Sequence, residues 1–451
     1  MLVANSNKFE PTFLCKILHK LFLISFIMLG QLFMSQSSKA FEVQTLESAK
    51  GIEYWLVESH TLPLVTVKFS FKQGSVRDAA GKEGTAYLLS GLLDEGAGDM
   101  TSEAFQQALE ETQVKMSFDA GLDQFTGTIK TLSDNLTDAE NLASLALNKP
   151  RFDEEPVERV RQQILASIRS SQFDPNTIAG KEWFRSAYED HVYARPVKGS
   201  IESVEAITSQ DLKDIHNSVF RQEGLSLSIV GAISKERAGE LVDAIFGSLP
   251  KEADYVSVPI VEPKVLSEPV HVELDVPQTV IRFGRPAILR DDPDFIPAFI
   301  MNHILGGGSF TSWLYEEVRE NRGLAYSVYS FLYPLDHSGI LMGGVATEQA
   351  RAQTSIDVIQ EQINKMAEEG PSQTELDEAK TYLKGSYPLR FDTSSKIAGQ
   401  LTGLKSQGLS TDYITDRAAL IDAVTIEDIK RAAKRIVDDA KLTIITVGKS
   451  E

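Results

Sequence analysis

Arg319 and Tyr326 lie seven residues apart. One side chain is a permanent cation with a fork of donors; the other is a phenol that donates and accepts. Held together over one cleft, they would present hydrogen-bond donors to whatever bound there. The same residue types have an ordinary use as well, Arg319 capping helix carbonyls and Tyr326 packing in a sheet. The residues alone leave both uses open.

What positions them is the stretch from Gly306 to Leu332, which reads as a Gly-rich loop, a helix and a strand. Gly306, Gly307 and Gly308 let a backbone pass close to something else. Ser309, Thr311 or Ser312 can cap a helix whose apolar stripe is Trp313, Leu314 and Val318. Gly323 is placed to end that helix in a left-handed conformation. A strand rich in aromatic and β-branched residues follows at once.

The wider chain is organised as a repeat. Val204–Leu212 resembles Ile421–Ile429, and Leu225–Gly231 resembles Leu442–Gly448. Thr208 to Thr425 and Gly231 to Gly448 are the same offset, 217 residues. A constant offset over two separated blocks predicts two homologous domains of about 200 residues each. The coarse pattern mixes strands (52–57, 64–71, two within 113–131, 225–230) with helices (84–93, 101–112, 136–147, 153–171, 234–246). That predicts an α+β fold with largely antiparallel sheets. The expected division is a leader at 1–40, a first domain at 41–250, a linker at 251–269 marked by prolines, and a second domain at 270–451.

The chain has 451 residues and a formal charge of −19. An acidic balance excludes a nucleic-acid surface, which needs clustered Lys and Arg. The first 40 residues read as an export signal: Lys16 and Lys20, a mostly apolar run from Leu21 to Met34, then Ser38-Lys39-Ala40. The run is short for a membrane span, so no stable span is expected after cleavage. Export would place the protein in the periplasm of a Gram-negative cell. Residues 1–40 carry a net +3, and their removal would take −19 to −22. Cys15, the only cysteine, goes with them, which excludes disulfides, thiol catalysis and thiolate metal sites from the mature chain.

Gly306 to Gly308, Val318-Arg319-Glu320 and Gly323-Leu324-Ala325-Tyr326 resemble the second-domain signature of the pitrilysin/insulinase-like zinc metallopeptidases, the group that includes mitochondrial processing peptidase. Gly74-Ser75 before Gly84-Thr85-Ala86, His191-Val192-Tyr193 before Gly199, and the Ile207–Leu212 block extend the resemblance along the mature chain. Trp313 departs from it, since the family often carries an arginine there. The resemblance implies two domains facing each other as a clamshell. It also implies that Arg319 and Tyr326 reach across to substrate bound at a zinc ion, with Gly306, Gly307 and Gly308 lining the peptide groove.

Active members carry His-x-x-Glu-His on the first helix. Two His four apart on one helical face bind zinc, and the Glu is the general base for water. The matching positions here are Tyr87, Ser90 and Gly91, none of which can do the job. The family's third ligand is a Glu some seventy-odd residues on, yet no carboxylate occurs from Arg159 to Phe173. The seven His are scattered; His303, just before the Gly-rich loop, could line a cleft, but it reads first as a partly buried helix histidine. No metal is therefore expected in this chain.

The resemblance then implies the zinc-less subunit of a two-chain endopeptidase, inactive alone. A homologous subunit would bring the zinc, and peptides, basic ones for so acidic a surface, would be the substrate. Tyr326 would donate to the scissile carbonyl as it becomes an oxyanion, and Arg319 would hold a substrate carbonyl. A non-catalytic peptide-binding or assembly protein on the same fold stays open. So does an independent peptidase with a metal site assembled elsewhere.

Overall fold

The computed structural model describes residues 42–437 and 441–450. Residues 1–40, where an export signal is expected, lie outside them. The fold lies in one compact unit, Gln44–Glu451. Among the described residues no helix is long and apolar enough to cross a membrane.

Two sheets divide this unit. The first holds β1 (Gln44–Glu47), β2 (Glu53–Glu58), β3 (Leu64–Lys72), β4 (Lys115–Ala120), β5 (Gln124–Leu132) and β6 (Ser226–Gly231), in the order β1-β2-β6-β3-β5-β4. The second holds β7 (Val270–Glu273), β8 (Thr279–Pro286), β9 (Ala325–Leu335), β10 (Ser338–Thr347) and β11 (Thr443–Gly448), in the order β7-β11-β8-β10-β9. Without β1 the two orders are the same topology. In each, one parallel pair (β2 with β6, β7 with β11) joins a run of antiparallel strands. The protein is thus α+β with two homologous halves, as the repeat predicts.

The repeat has a local physical cause. In the first half the helices are α1 (Thr85–Ser90), α2 (Ser102–Glu111), α3 (Leu136–Asn148), α4 (Glu154–Ser171), α5 (Pro175–Tyr188), α6 (Ile201–Ala206), α7 (Ser209–Val219) and α8 (Lys235–Phe246). In the second they are α9 (Phe295–Asn302), α10 (Trp313–Tyr315), α11 (Ala352–Glu368), α12 (Gln373–Gly385), α13 (Ser394–Ser406), α14 (Asp412–Ala423) and α15 (Ile426–Ile436). Thr208 starts α7 with a capping box: its hydroxyl accepts from the Asp211 amide at 3.2 Å, and the Asp211 carboxylate accepts from the Thr208 amide at 2.7 Å. Thr425 and Asp428 repeat this at α15, at 3.2 and 2.8 Å. Each box satisfies backbone donors that a helix start leaves open.

The sheets also share a packing device. Phe69 on β3 lies opposite Gly127 on β5, and Phe283 on β8 opposite Gly343 on β10. A Cβ on Gly127 would sit 2.1 Å from Phe69 Cζ, and one on Gly343 2.1 Å from Phe283 Cζ. The tip of each ring fills the place a Cβ on its partner glycine would take, inside a core. Gly127→Ala is expected to destabilise the protein by about 1–3 kcal/mol through overpacking. Urea denaturation checks it, and Phe69→Leu in the same chain should recover much of the loss.

Alternation along β3 sends Val65, Val67, Phe69 and Phe71 into a core shared with α1–α4, α7 and α8. The opposite face carries Thr66, Lys68 and Ser70, and α13 of the second half lies there. Thr402 donates to the Lys68 carbonyl at 3.1 Å, and the Ser228 hydroxyl bonds the Ala398 carbonyl and Thr402. In return α5 of the first half covers the second sheet. Trp183 is fully buried there, with its indole N–H donating to the Thr443 carbonyl at 3.2 Å. Val280, Ile340, Met342, Ile445 and Val447 complete that apolar layer. Each half therefore lends a helix to the other's sheet.

Residues 250–269 form neither helix nor strand but are tied to both halves. The Val256 amide donates to Gln73 at 3.0 Å, and the Val261 amide donates to the His337 carbonyl at 2.9 Å.

Candidate functional site

Ser312 holds the extended backbone of an N-cap, and its hydroxyl donates to the Ser309 carbonyl at 2.8 Å. From it runs α10, which widens into a π-type turn over Glu316–Asn321. The expected single α-helix is therefore one α turn continued by a wider one. Trp313 is buried, donates its indole N–H to Glu375 on α12 at 2.5 Å and lies under the Lys365 ammonium at 4.6 Å. The residue that departs from the family pattern is thus an anchor for the helix that carries Arg319.

Gly323 ends this helix at φ 58°, as expected. Its amide donates to the Arg319 carbonyl at 3.0 Å, and the Leu324 amide to the Val318 carbonyl at 2.8 Å. This closure satisfies the last carbonyls and turns the chain into β9 within two residues. Arg319 and Tyr326 are brought together by it. The guanidinium lies 4.5 Å from the Tyr326 ring centre and 4.9 Å from that of Tyr315. It also donates to the Tyr315 hydroxyl and lies 3.4 Å from a Glu320 carboxylate oxygen. A cation held between two aromatic faces is attracted to both and loses rotamer freedom. Tyr315 is buried, whereas Tyr326 is 80% exposed and Phe310 beside Tyr315 is 74% exposed. Tyr326 therefore does not pack in a core.

The glycine run is not an open loop. Residues His303–Gly307 continue α9 as a second π-type turn that lies against β9. A Cβ on Gly306 would sit 2.4 Å from Ser330 Oγ, one on Gly307 2.8 Å from Asn302 Nδ2, and one on Gly308 2.8 Å from the His303 carbonyl. None of the three has a positive φ. Close approach, not backbone conformation, is what requires glycine. Gly306 is buried under the strand, and Gly307 is exposed. Sequence reasoning missed the buried pair that fixes this turn: Ser330 donates to Asn302 Oδ1 at 2.7 Å, and Asn302 Nδ2 donates to the Ser330 carbonyl at 3.3 Å. His303 is half-buried and stacked on Tyr382 at 5.1 Å.

Tyr87, Ser90 and Gly91 lie on α1 and its C-cap in the other half. Among the described residues, no hydrogen bond, ion pair or ring contact joins them to Arg319 or Tyr326. Ser90 donates to the Tyr87 carbonyl at 2.7 Å, so its hydroxyl is spent on its own helix. The Tyr87 ring lies under the Lys198 ammonium at 5.3 Å. A Cβ on Gly91 would sit 2.9 Å from Val160 Cγ1 on α4, leaving no room for an imidazole. The donor set is a phenol, a committed hydroxyl and no side chain, and α4 brings no carboxylate from Arg159 onward. These residues do not fit a zinc ion, which needs nitrogen, thiolate or carboxylate ligands. Among the described residues no three His, Cys, Asp or Glu come together as a metal group.

Asp78 holds α1 in place. Its carboxylate accepts from the Gly84 and Ala86 amides at 2.8 and 2.9 Å. Burial outweighs those two donors and pushes its carboxyl up to about 7. A folded-state value raised above the unfolded one favours folding at low pH. That stability is full below about pH 4 and is lost as pH rises through about 7. Asp78→Asn should flatten this part of the pH–stability curve between pH 4 and 7. Urea midpoints across that range measure it, and an unchanged slope would show that the carboxyl titrates normally.

Residues 54–201 match the model of the insulinase family, peptidase family M16, and residues 206–383 match that of the peptidase M16 inactive domain. A Helicobacter pylori protein named non-peptidase homolog YmxG is 26% identical over 433 residues, covering 96% of this chain and 99% of its own. An uncharacterized zinc protease of Streptomyces coelicolor is 23% identical over 370 residues, covering 81% and 80%. The solved structure of a peptidase M16 inactive domain from Pseudomonas fluorescens superposes with a TM-score of 0.85 at 29% identity, covering 91% of this chain and 98% of that one. With both family models matched in order and the helix of the zinc motif stripped of ligands, this chain is a zinc-less member of the insulinase-like peptidase family M16.

Proposed function

We propose that this chain is the zinc-less subunit of a two-chain metalloendopeptidase, and that it supplies Arg319 and Tyr326 to substrate held at a homologous partner's zinc. One observation carries the reading: Arg319 is clamped beside an exposed Tyr326, while Tyr87, Ser90 and Gly91 offer no ligands. A fixed guanidinium and a free phenol are donors that can be aimed at a developing oxyanion without reorganisation. The acidic surface favours basic peptides by long-range attraction. The leader pattern of residues 1–40 supports export, to the periplasm of a Gram-negative cell.

The test is cleavage of a quenched basic peptide by this protein, by a homologue bearing His-x-x-Glu-His, and by the mixture, with zinc counted in each. Cleavage only by the mixture, with zinc in the homologue, supports the reading. A silent mixture with peptide still bound by this chain would favour a second one, a non-catalytic peptide-binding or assembly protein. The name of the Helicobacter pylori relative, a non-peptidase homolog, speaks for that alternative.

A further inference from the structure

A cavity of about 530 Å³ opens beside the glycine turn, between α9, β9, α13 and α14. Its size suits a small ligand or the end of a chain. Its cations are Arg290, Arg390 and Arg417, and none of its lining residues is Asp or Glu. In a chain of net charge −19 such a lining runs against the average composition.

Arg417 is only 6% exposed. It donates to the Leu383 carbonyl at 3.0 Å and hydrogen-bonds Tyr413, and its guanidinium lies 4.3 Å from the Tyr387 ring centre and 5.6 Å from that of Phe299. Among the described residues it meets no carboxylate. Burial, with Arg390 adding to it, pushes its guanidinium below the ordinary arginine range. A buried cation without an anion is costly unless something else compensates it. The Tyr387 hydroxyl is an independent sign: it is buried and has no hydrogen-bond partner. A lone acceptor-rich anion would answer both groups at once. Phe295 and Phe299 give the same cavity an apolar wall, and Arg290 is held over Phe295 at 4.3 Å. Inorganic phosphate would leave that wall unused.

We propose that this cavity binds the C-terminal carboxylate of a peptide that ends in an aromatic or large apolar residue. The carboxylate pairs with Arg417 and accepts from Tyr387, with Arg290 and Arg390 flanking it, and the last side chain lies against Phe295 and Phe299. Arginine forks match carboxylates in two-point pairs, which gives such a site its selectivity. The inference rests on the reading that this chain handles peptides, and adds that it recognises a free end.

The probe is a pentapeptide of four alanines and a C-terminal phenylalanine, compared with its C-terminal amide, titrated calorimetrically into the full chain. The amide should bind about 10-fold more weakly or worse, the range for a hydrogen bond to a charged group. Arg417→Met should abolish the difference. Because Arg417 is buried, Arg390→Ala, at an exposed arginine, serves as the second variant and should reduce it. Acid and amide bound equally, or neither bound, would overturn the site. Decanoate binding as tightly as the acid peptide would overturn the peptide assignment. Equal binding with a mixture that still cleaves would leave the proposed function standing and remove this site. Acid selectivity with a silent mixture would do the reverse.

Discussion

Tyr326→Phe, mixed with the zinc-bearing homologue, is expected to turn over peptide about 10²–10³-fold more slowly than the unaltered chain. That is the effect of removing one donor from a developing oxyanion, about 2.7–4 kcal/mol. The substitution deletes one hydroxyl from a side chain that is 80% exposed, so neither fold nor core should notice. The thermal midpoint and the assembly of the mixture should both be unchanged. Arg319→Met should fall in the same range. It removes the cation between the Tyr315 and Tyr326 rings, and so frees Tyr326 as well as deleting charge. Undiminished turnover in both variants would sink the role assigned to this pair. A rise in KM alone, with kcat intact, would make them substrate-binding groups and not transition-state donors.

Trp183→Ala should give the largest loss of stability. The indole is fully buried on the second sheet, where a Cβ on Gly284 would sit 2.7 Å from its ring. Truncation opens a cavity worth about 3–5 kcal/mol. It also strips the Thr443 carbonyl of its indole donor, another 1–3 kcal/mol for an acceptor left unsatisfied, or roughly 4–8 kcal/mol in all. Urea denaturation followed by far-UV circular dichroism should show the midpoint falling steeply. A change under about 1 kcal/mol would mean that α5 is not seated on the second sheet in solution. Thr402→Val at the corresponding place on α13 should cost less, because it removes hydrogen bonds to Lys68 and Ser228 but keeps volume.

Much of this was legible in the sequence where the physics is local. The 217-residue repeat shows because Thr208 with Asp211 and Thr425 with Asp428 are three-residue capping boxes. The meeting of Arg319 with Tyr326 was legible because Gly323 marks the only sharp turn between them. The degenerate zinc motif needs nothing beyond residue identity. What stayed hidden depends on distance. The seats of α5 and α13 rest on Trp183 meeting Thr443 and on Thr402 meeting Lys68, pairs more than two hundred residues apart. The wider turns at His303–Gly307 and Glu316–Asn321 carry no sequence mark that separates them from α-helix. The arginine cavity draws residues 290, 390 and 417 from three segments, so no window along the chain contains it.

The lending of α5 and α13 makes this chain a covalent version of a domain-swapped homodimer. A chain holding a single repeat would leave one face of its sheet bare and could cover it only with a second copy. With two repeats in one chain that encounter is intramolecular, at the millimolar effective concentration of a short tether. The tether is then dispensable for cohesion. Cutting within residues 250–269 should leave two fragments that co-elute in gel filtration, since each holds a helix buried in the other. Fragments that part on cutting would mean that the strap itself, through Val256 and Val261, is what binds the halves. If they stay together, opening by a hinge between the halves would require unpacking Trp183 from the second sheet.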